Sequence, residues 1–159
     1  MTPNPKSFRQ TIGQFATGVT VIVAEAAGQT HGMTANAVSS LSLDPMLVLF
    51  CVVKRARMAE LIQKATGFSI NILREDQEEV STAFARALSN KWESVGFEVW
   101  ETGCPILANA LASFECETTT MHDGGDHVIF VGRVLALRTG EGRPLLYYRG
   151  AYRQIVDPS

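Results

Sequence analysis

The sequence of 159 residues lacks the features that mark secreted and membrane proteins. Its three cysteines, Cys51, Cys104 and Cys116, are odd in number and irregularly spaced, which indicates reduced thiols in the cytoplasm and not a disulfide framework. The longest apolar run, residues 46–53, has eight residues, whereas a membrane helix needs about 20, so no membrane span is expected. The first residues, with two prolines before a polar segment, do not resemble a signal peptide.

An excess of basic charge is also missing. Lysine and arginine number 14 and aspartate and glutamate 16, a formal net charge of −2, so neither nucleic acid nor an acidic membrane surface is expected as a partner. With 46% hydrophobic and 19% charged residues, the composition is typical of a folded globular protein. The length suits a single domain over residues 1–159, and no repeat or linker suggests a second one.

Several common site motifs are absent. The chain has no G-x-G-x-x-G after a strand, no phosphate-binding loop, no H-E-x-x-H and no G-x-S-x-G. These absences argue against a Rossmann crossover, a P-loop, a zinc protease and an α/β-hydrolase. His122, Asp123, Asp126 and His127 have side chains that can bind a metal, but the two glycines between them favour a turn, so we predict no metal site.

Hydrophobic spacing predicts six or seven strands joined mostly by short turns, with no regular alternation of strand and helix. An antiparallel barrel is the economical arrangement, because closure removes strand edges. Residues 90–104 are predicted as a loop with short strand pieces. Helices are predicted at residues 8–15, 54–65 and 76–88, and strands at residues 19–24, 30–35, 46–53, 68–73, 110–121, 128–137 and 145–148.

Three details of this pattern are specific. The continuously apolar residues 46–53 predict a strand that is buried on both faces, whereas residues 68–73 and 110–121 alternate as half-buried strands do. Gly132 is a predicted bulge in its strand. Phe8, Ile12 and Phe15 form one apolar stripe on the first helix, which we expect to cover another part of the molecule.

Residues 32–45, GMTANAVSSLSLDP, are the stretch around which the chain is organised. Five hydrogen-bonding side chains lie within nine positions, and the small residues Ala35 and Ala37 allow a flat ligand to approach the backbone. The stretch is thus either a cofactor bed or an ordinary polar loop that ends in an Asp-Pro turn. The five side chains are those of Thr34, Asn36, Ser39, Ser40 and Ser42.

Two further positions carry alternative interpretations. Lys54, Arg55 and Arg57 cluster where a strand gives way to a helix, so they either bind a phosphate at the helix start or form a solvated basic turn. His127 opens a strand directly after a Gly-Gly-Asp turn, so its imidazole either reaches into a cleft or is satisfied by a neighbouring carbonyl. Cys51 is not expected to be a nucleophile, because it lies in an apolar run and no histidine is near it in sequence to activate the thiol.

Four pieces, in this order and spacing, resemble the short-chain flavin reductases, the reductase components of two-component flavin-dependent monooxygenases. They are residues 32–45, the strand 46–53 that follows, the pair Phe84 and Ala85, and GDHVIFVGRV at residues 125–134. The resemblance extends over residues 8–152. It implies a mainly β protein with flanking helices, a six-stranded antiparallel Greek-key split β-barrel that is usually a homodimer. It also implies a flavin, FMN or FAD, and NADH or NADPH as co-substrate.

The resemblance also assigns roles to residues. The flavin ring would lie over residues 34–37, and the serines after them would line its ribityl and phosphate side. His127 would be the catalytic residue, next to the nicotinamide. The implied cofactor-binding residues are Thr34, Ala35, Asn36, Ala37, Ser39, Ser40, Ser42, Cys51, Val52, Val53, Lys54, Arg57, Phe84, Ala85 and Tyr152.

One departure from the family pattern concerns the phosphate. Ala56 and Met58 stand where many relatives carry hydroxyl side chains, so phosphate binding would depend on Lys54, Arg57 and backbone N–H groups. The choice between FMN and FAD therefore stays open.

The expected function is transfer of a hydride from a nicotinamide cofactor to a flavin that then supplies a separate monooxygenase. Two alternatives share the fold. One is a flavin-binding carrier or sensor without catalysis, and the other is an oxidase of a small phosphorylated amine that draws its electrons from that amine.

Overall fold

The order of secondary-structure elements follows the predicted alternation of strands and short turns. A computed structural model of the chain describes residues 2–93 and 95–156. None of the helices in these two segments is long and apolar enough to span a membrane. The elements are α1 (Pro5–Ile12), β1 (Thr17–Gly18), β2 (Thr20–Ala26), β3 (Gln29–Ala35), β4 (Val38–Leu43), β5 (Met46–Val53), α2 (Arg57–Ile62), β6 (Gly67–Ile72), α3 (Glu78–Ala85), β7 (Phe97–Val99), β8 (Pro105–Leu107), β9 (Ala112–Gly124), β10 (His127–Thr139), β11 (Leu146–Tyr148) and β12 (Ala151–Arg153).

Seven strands form one antiparallel sheet in the order β3-β2-β6-β9-β10-β5-β4. Its two edge strands, β3 and β4, are separated in sequence by residues 36 and 37 alone. Because the three Cα–Cα steps from Ala35 to Val38 span at most about 11 Å, the sheet must roll until its two edges meet. The result is a barrel with a split at residues 36–37, and it has the predicted six strands when β3 and β4 are counted as one interrupted strand. The predicted fold class is confirmed.

The barrel encloses a core of aromatic and aliphatic side chains. Phe50 lies between Phe68 and Phe130, with ring centroids 4.8 and 5.4 Å apart. A second apolar layer lies outside β2, where Val21 and Val23 pack with Phe84 of α3. Since β2 is buried on both faces, α3 is held against the outside of the barrel beside β3. This second layer positions the candidate site.

The prediction for β5 is wrong in one respect. Its residues alternate between buried and half-buried, so one face lies in the core and the other lies at the outside of the barrel. Val52 is 1% exposed, whereas its neighbours Cys51 and Val53 are half-buried. Both faces of β5 carry apolar side chains, although only one face lies in the core. Hydrophobicity alone therefore does not show which face is buried.

The strands β6 and β9 differ from prediction in the opposite sense, because their polar faces are buried. Asn71 and Glu115 are both 0% exposed. Asn71 donates to the carbonyl of Val21 at 3.1 Å, and Glu115 accepts from the backbone N–H of Thr102 at 2.7 Å. The chain before and within β8 covers this face, and its backbone satisfies the polar groups. The alternation of apolar and polar residues along one strand does not show that another segment of the chain will cover its polar face.

The ends of the chain also differ from prediction. Helix α1 is capped by Asn4, whose side chain accepts from the backbone of Lys6 and Ser7, and it ends at Ile12 before the third residue of the predicted stripe. No residue of α1 is buried. A further strand, β12, follows the predicted last strand. The bulge predicted at Gly132 is confirmed by a register shift between β10 and β9.

Candidate functional site

Residues 32–45, for which a cofactor bed and a polar loop were the alternatives, contain the end of β3, a two-residue break and β4. Because β3 is the edge of the sheet, the backbone groups on its outer side have no strand partner. Asn36 and Ala37 in the break are exposed, whereas the side chain of Ala35 is buried in the core. This edge, residues 34–37, is called the flavin bed below. It can present backbone N–H and C=O groups to a flat ligand.

A chain of hydrogen bonds ties the flavin bed to α3 and β12. Thr34 Oγ1 donates to the carbonyl of Ser81 at 2.6 Å, and the hydroxyls of Ser81 and Tyr152 lie 2.7 Å apart. Asn36 donates to Thr17 Oγ1 at 3.2 Å. Thr34 and Tyr152, two positions assigned by the resemblance, therefore meet at Ser81 although they are far apart in sequence, and Asn36 is tied to β1.

Phe84 holds α3 closely against β3. Its ring lies beside Gly32, where an added Cβ would be 2.5 Å from a ring carbon, so only glycine fits. The same ring contacts Trp92 edge-on, with centroids 4.9 Å apart, and the ammonium of Lys91 lies 5.3 Å from its centre. Ala85, the next residue, is exposed at the end of α3. Of the predicted pair, Phe84 thus supports the bed from behind and Ala85 faces outward.

His127 lies at the start of β10, opposite Val53 of β5. Its Nδ1 donates to Asp126 Oδ1 at 2.6 Å, so its partner is a carboxylate and not a carbonyl. This hydrogen bond lowers the pKa of the Asp126 carboxyl. The backbone N–H of Cys51, two residues before Val53, donates to Ala37 at 3.0 Å. His127 is therefore one strand away from β5, which adjoins the flavin bed.

The side chains of Lys54 and Arg57, predicted to form one basic cluster, have partners on different strands. Lys54 forms an ion pair of 2.6 Å with Asp123 in the β9–β10 hairpin. Arg57 points the other way and donates to Gln29 Oε1 of β3 at 3.3 Å. The helix α2 has only six residues and no side-chain cap at Ala56, so the helix start contributes little to anion binding. Of the two predicted phosphate ligands, Arg57 alone faces β3.

The serines of β4 lie far from Arg57. Ser40 is opposite Val48 and Ser42 is opposite Leu47, toward the beginning of β5, whereas Arg57 follows its end. At about 3.3 Å per residue, Leu47 and Val53 are roughly 20 Å apart. Ser39 donates to the carbonyl of Ser40 at 2.9 Å. The serines and Arg57 therefore cannot hold the same phosphate group.

The predicted cofactor-binding residues at the end of β5, Cys51, Val52 and Val53, have side chains on alternate faces of the strand. The side chain of Val52 is in the barrel core and cannot reach a ligand outside. Cys51 and Val53 are on the outer face, half-buried, and Cys51 is a free thiol. Only the latter two have side chains on the ligand side.

Sequence reasoning missed a cleft beside β3. It has a volume of about 460 Å³, and its lining includes two cationic side chains, those of Arg57 and Lys91. Lys91 lies in residues 90–104, which have no sustained hydrophobic period, and His31 lies within the predicted strand 30–35. Their signal is visible only after folding, when both come to lie beside Arg57. This cationic cleft is lined by Thr30, His31, Arg57, Ser89, Lys91 and Trp92, among others.

Like charges meet in the cationic cleft. Burial, with the charges of Lys91 and Arg57, lowers the pKa of His31 to about 4. Burial and Arg57 also lower the pKa of Lys91, which is only 7% exposed. The ammonium of Lys91 donates to the carbonyl of Gly32 at 2.9 Å. Within residues 2–93 and 95–156, no carboxylate is paired with Lys91 or Arg57 in an ion pair.

These surroundings fit a flavin. The flavin bed offers backbone polar groups without bulky side chains, and no described carboxylate lines the cationic cleft at the other end of β3. A phosphorylated ligand with a flat ring requires both features. Arg57 and Lys91 would hold its phosphate, and residues 34–37 would hold its ring.

Comparisons with known proteins point in the same direction. Residues 12–156 match the family model described as a flavin reductase like domain. A probable flavin reductase of Rhizobium meliloti is 43% identical over 150 residues, which cover 94% of this chain and 48% of that protein. An NADH-dependent flavin reductase of Rhodococcus is 42% identical over 154 residues, 95% of this chain and 86% of that protein.

A solved structure agrees with these matches. Nitrilotriacetate monooxygenase component B from Mycobacterium thermoresistibile superimposes with a TM-score of 0.91 at 37% identity, covering 97% of this chain and 90% of that one. The chain spans 48% and 65% of the lengths of two Rhizobium meliloti relatives. Because the family model covers residues 12–156 and the solved structure superimposes with a TM-score of 0.91, the resemblance inferred from the sequence is confirmed. The chain belongs to the flavin reductase-like domain family.

Proposed function

We propose that this protein is an NADH-dependent flavin reductase that supplies reduced flavin to a separate monooxygenase. The observation that carries the proposal is the flavin bed, tied to α3 and β12 through Thr34, Ser81 and Tyr152, with the cationic cleft at the other end of β3. Relatives named as NADH-dependent flavin and FMN reductases support the reaction. Relatives named as monooxygenase reductase subunits support the partner.

The cationic cleft would bind the flavin phosphate. Arg57 is exposed and has an uncharged partner, Gln29, so its guanidinium can turn to an anion at little cost. Lys91 is buried, and an anion would offset the cost of burying its charge. In this assignment the serines of β4, at the opposite end of β5, take no part in phosphate binding.

The flavin bed would orient the ring. When bound, the flavin accepts a hydride from the reduced nicotinamide, so no side chain of the protein has to act as a nucleophile. Backbone N–H groups at residues 34–37 would stabilise negative charge on the edge of the ring, in the manner of an oxyanion hole. The bond from Thr34 to the Ser81 carbonyl fixes the backbone that presents these groups.

His127 would position the nicotinamide. Its imidazole is held by the carboxylate of Asp126, which leaves Nε2 directed away from that carboxylate. Its place opposite Val53 puts it at the same end of β5 as residues 36 and 37. The side chain can thus contact a second ligand that lies over the flavin bed.

Two copies of the chain would form the working unit. The outer face of β5 carries half-buried apolar residues, among them Cys51 and Val53, and α1 exposes Phe8 and Ile12. A homodimer would cover apolar surface of this kind. The cytoplasmic location stays a prediction from cysteine usage.

One anaerobic experiment tests the function. The purified protein with FMN or FAD is mixed with NADH, and the yellow absorbance of the flavin is followed. We expect rapid bleaching that is absent without protein. Tightly bound flavin that neither NADH nor NADPH bleaches would support a carrier or sensor, and bleaching by a small phosphorylated amine alone would support an oxidase.

A further inference from the structure

Three short strands form a separate sheet beside the barrel, in the order β1-β11-β12. This small sheet is fixed at its base. Leu145, the residue before β11, is 1% exposed and donates to the carbonyl of Leu73 at 3.0 Å. Val19, the residue after β1, donates to the carbonyl of Leu145 at 3.2 Å. Backbone hydrogen bonds therefore join the small sheet to the start of β2 and the end of β6.

One row of side chains crosses the small sheet on the side of the flavin bed. Thr17 is opposite Tyr147, and Tyr147 is opposite Tyr152, so the three side chains lie on one face. At one end of the row, Thr17 Oγ1 accepts from Asn36 Nδ2 at 3.2 Å. At the other end, the hydroxyl of Tyr152 lies 2.7 Å from that of Ser81. The small sheet thus reaches the site at both ends of the row.

The opposite face of β11 has a different partner. Tyr148 points away from the row, because successive side chains of a strand alternate between its faces. Its hydroxyl donates to Gln14 Oε1 at 3.2 Å, just beyond the end of α1. The backbone N–H of Arg149 donates to the carbonyl of Gly13 at 3.0 Å. One strand therefore carries a tyrosine toward the flavin bed and a tyrosine toward α1.

Asn36 lies outside the strand ladders of the barrel. The pairing of β3 with β2 ends before this residue, and the pairing of β4 with β5 begins after residue 37. The carbonyl of Ala37 is held by the backbone N–H of Cys51 at 3.0 Å, whereas Asn36 is held through its side chain by Thr17. A ligand that binds to a backbone already held in place loses less conformational entropy on binding. The bond to Thr17 therefore favours flavin binding at this position.

We propose that the small sheet holds the flavin bed in its binding conformation, with Thr17 and Tyr152 as positioning residues. Thr17 acts through Asn36. Tyr152 acts through Ser81, whose carbonyl accepts from Thr34 at 2.6 Å. This inference rests on the proposed function, because it requires the flavin ring at residues 34–37. It goes beyond that function by adding Thr17 and by giving the Tyr152 hydroxyl a partner in the protein.

The first test is a titration of FMN with Thr17→Val, which keeps the branched shape of the side chain and removes Oγ1. We expect the Kd of FMN to rise about threefold to tenfold, the range of one hydrogen bond between neutral groups. The KM for NADH at saturating FMN should not change, because His127 lies on another hairpin. Thr17→Ser keeps the hydroxyl and should restore the wild-type Kd. An unchanged Kd in Thr17→Val, or an equal rise in Thr17→Ser, would overturn the role of Thr17.

The route through Asn36 is tested by Asn36→Ala, alone and together with Thr17→Val. If Thr17 acts through Asn36, the double variant should have the same Kd for FMN as Asn36→Ala. If the two effects multiply instead, Thr17 acts by a different route and its assignment is wrong.

The second contact is tested by Tyr152→Phe and Ser81→Ala, each of which removes one hydroxyl of the pair. Each should raise the Kd of FMN about threefold to tenfold, and the double variant should resemble either single variant. The matched control is Tyr148→Phe, which removes a hydroxyl from the other face of β11 and should change the Kd less than about twofold. If Tyr152→Phe weakens binding further in the Ser81→Ala protein, the Tyr152 hydroxyl contacts the flavin directly and its positioning role is wrong.

The two proposals can fail separately. A wild-type Kd for FMN in Thr17→Val and Tyr152→Phe, with normal bleaching by NADH, would remove the role of the small sheet and leave the reductase. The expected Kd changes, with no bleaching in the wild type, would remove the reductase and leave the role of the small sheet in flavin binding.

Discussion

Two histidines of this chain lie in opposite electrostatic surroundings. His31 is next to the cations Lys91 and Arg57, whereas His127 donates to the carboxylate of Asp126. In the sequence both are single histidines in predicted strands or at their ends, and His127 differs by following a Gly-Gly-Asp turn. The charged neighbours of His31, Lys91 and Arg57, belong to other parts of the chain. The charged neighbour of His127 is the adjacent residue, Asp126.

His31 should make stability depend on pH. Its pKa is lowered from 6.5 to about 4 by burial and by the two cations, so between these values the unfolded chain binds a proton that the folded chain does not. The free energy of unfolding should therefore fall as the pH is lowered through this window, and be unaffected by His31 above it. Urea denaturation at about pH 7 and about pH 5 measures the change.

The variant His31→Asn should show a smaller loss of stability over the same interval. The control is His122→Asn, because His122 is exposed on the β9–β10 hairpin. Equal losses in the wild type and in His31→Asn would contradict the role of His31.

His127→Ala should raise the KM for NADH without changing the Kd of the flavin. The imidazole lies in the β9–β10 hairpin and not on the flavin bed, so its loss would affect the second ligand. We expect a rise of about tenfold, the size of one lost charge-assisted hydrogen bond. Steady-state kinetics together with a flavin titration separate the two constants.

The matched control for this variant is His122→Ala. His122 is on the same hairpin and bonds to Thr120 Oγ1 at 3.1 Å. It should leave both constants unchanged. An unchanged KM for NADH in His127→Ala would place the nicotinamide elsewhere.

At the scale of elements, α3 packs closely against β3 through Phe84 and Gly32. An alanine at position 32 would place its Cβ 2.5 and 2.8 Å from two carbons of the Phe84 ring. Because Phe84 is 2% exposed and packed against Trp92, the ring has little room to move. Overpacking of this kind costs about 1–3 kcal/mol.

Gly32→Ala should therefore lower the Tm by several degrees and weaken flavin binding, since α3 also carries the Ser81 carbonyl that holds Thr34. Thermal unfolding and a flavin titration measure the two effects. Gly18→Ala is the control, because a Cβ at Gly18 would meet nothing within 4 Å. A Tm equal to that of Gly18→Ala would show that the ring adjusts freely.

Elements could be predicted from the sequence better than their surroundings. The β2–β3 hairpin, β5, α3 and the Gly132 bulge follow from local spacing, turn residues and β-branched runs. The burial of Glu115 and the meeting of Arg57 with Lys91 could not be predicted, because each depends on a segment distant in sequence. The family resemblance assigned Thr34 and Tyr152 to the ligand site without using the fold. The cationic cleft has no such signal, because its residues come together only in the folded chain.

At the scale of the whole molecule, the first helix, α1, exposes apolar side chains that do not pack against the barrel. Phe8 and Ile12 of α1 are 66% and 55% exposed, and no residue of this helix is buried. A helix of eight residues is too short to be stable in water by itself. Cover by a second copy of the chain would account for both the helix and its apolar stripe.

Replacing both Phe8 and Ile12 by Ser should therefore separate the proposed dimer. The mass from light scattering after size exclusion should fall from about twice 17.3 kDa to 17.3 kDa. Lys6→Ser with Gln10→Ser is the matched control, because it changes two exposed polar residues of the same helix and should retain the larger mass. A wild-type chain of 17.3 kDa, or an unchanged mass in the Phe8 and Ile12 variant, would contradict a dimer formed through α1. Circular dichroism distinguishes dissociation from unfolding, because the barrel strands lie outside the altered helix and should keep their signal.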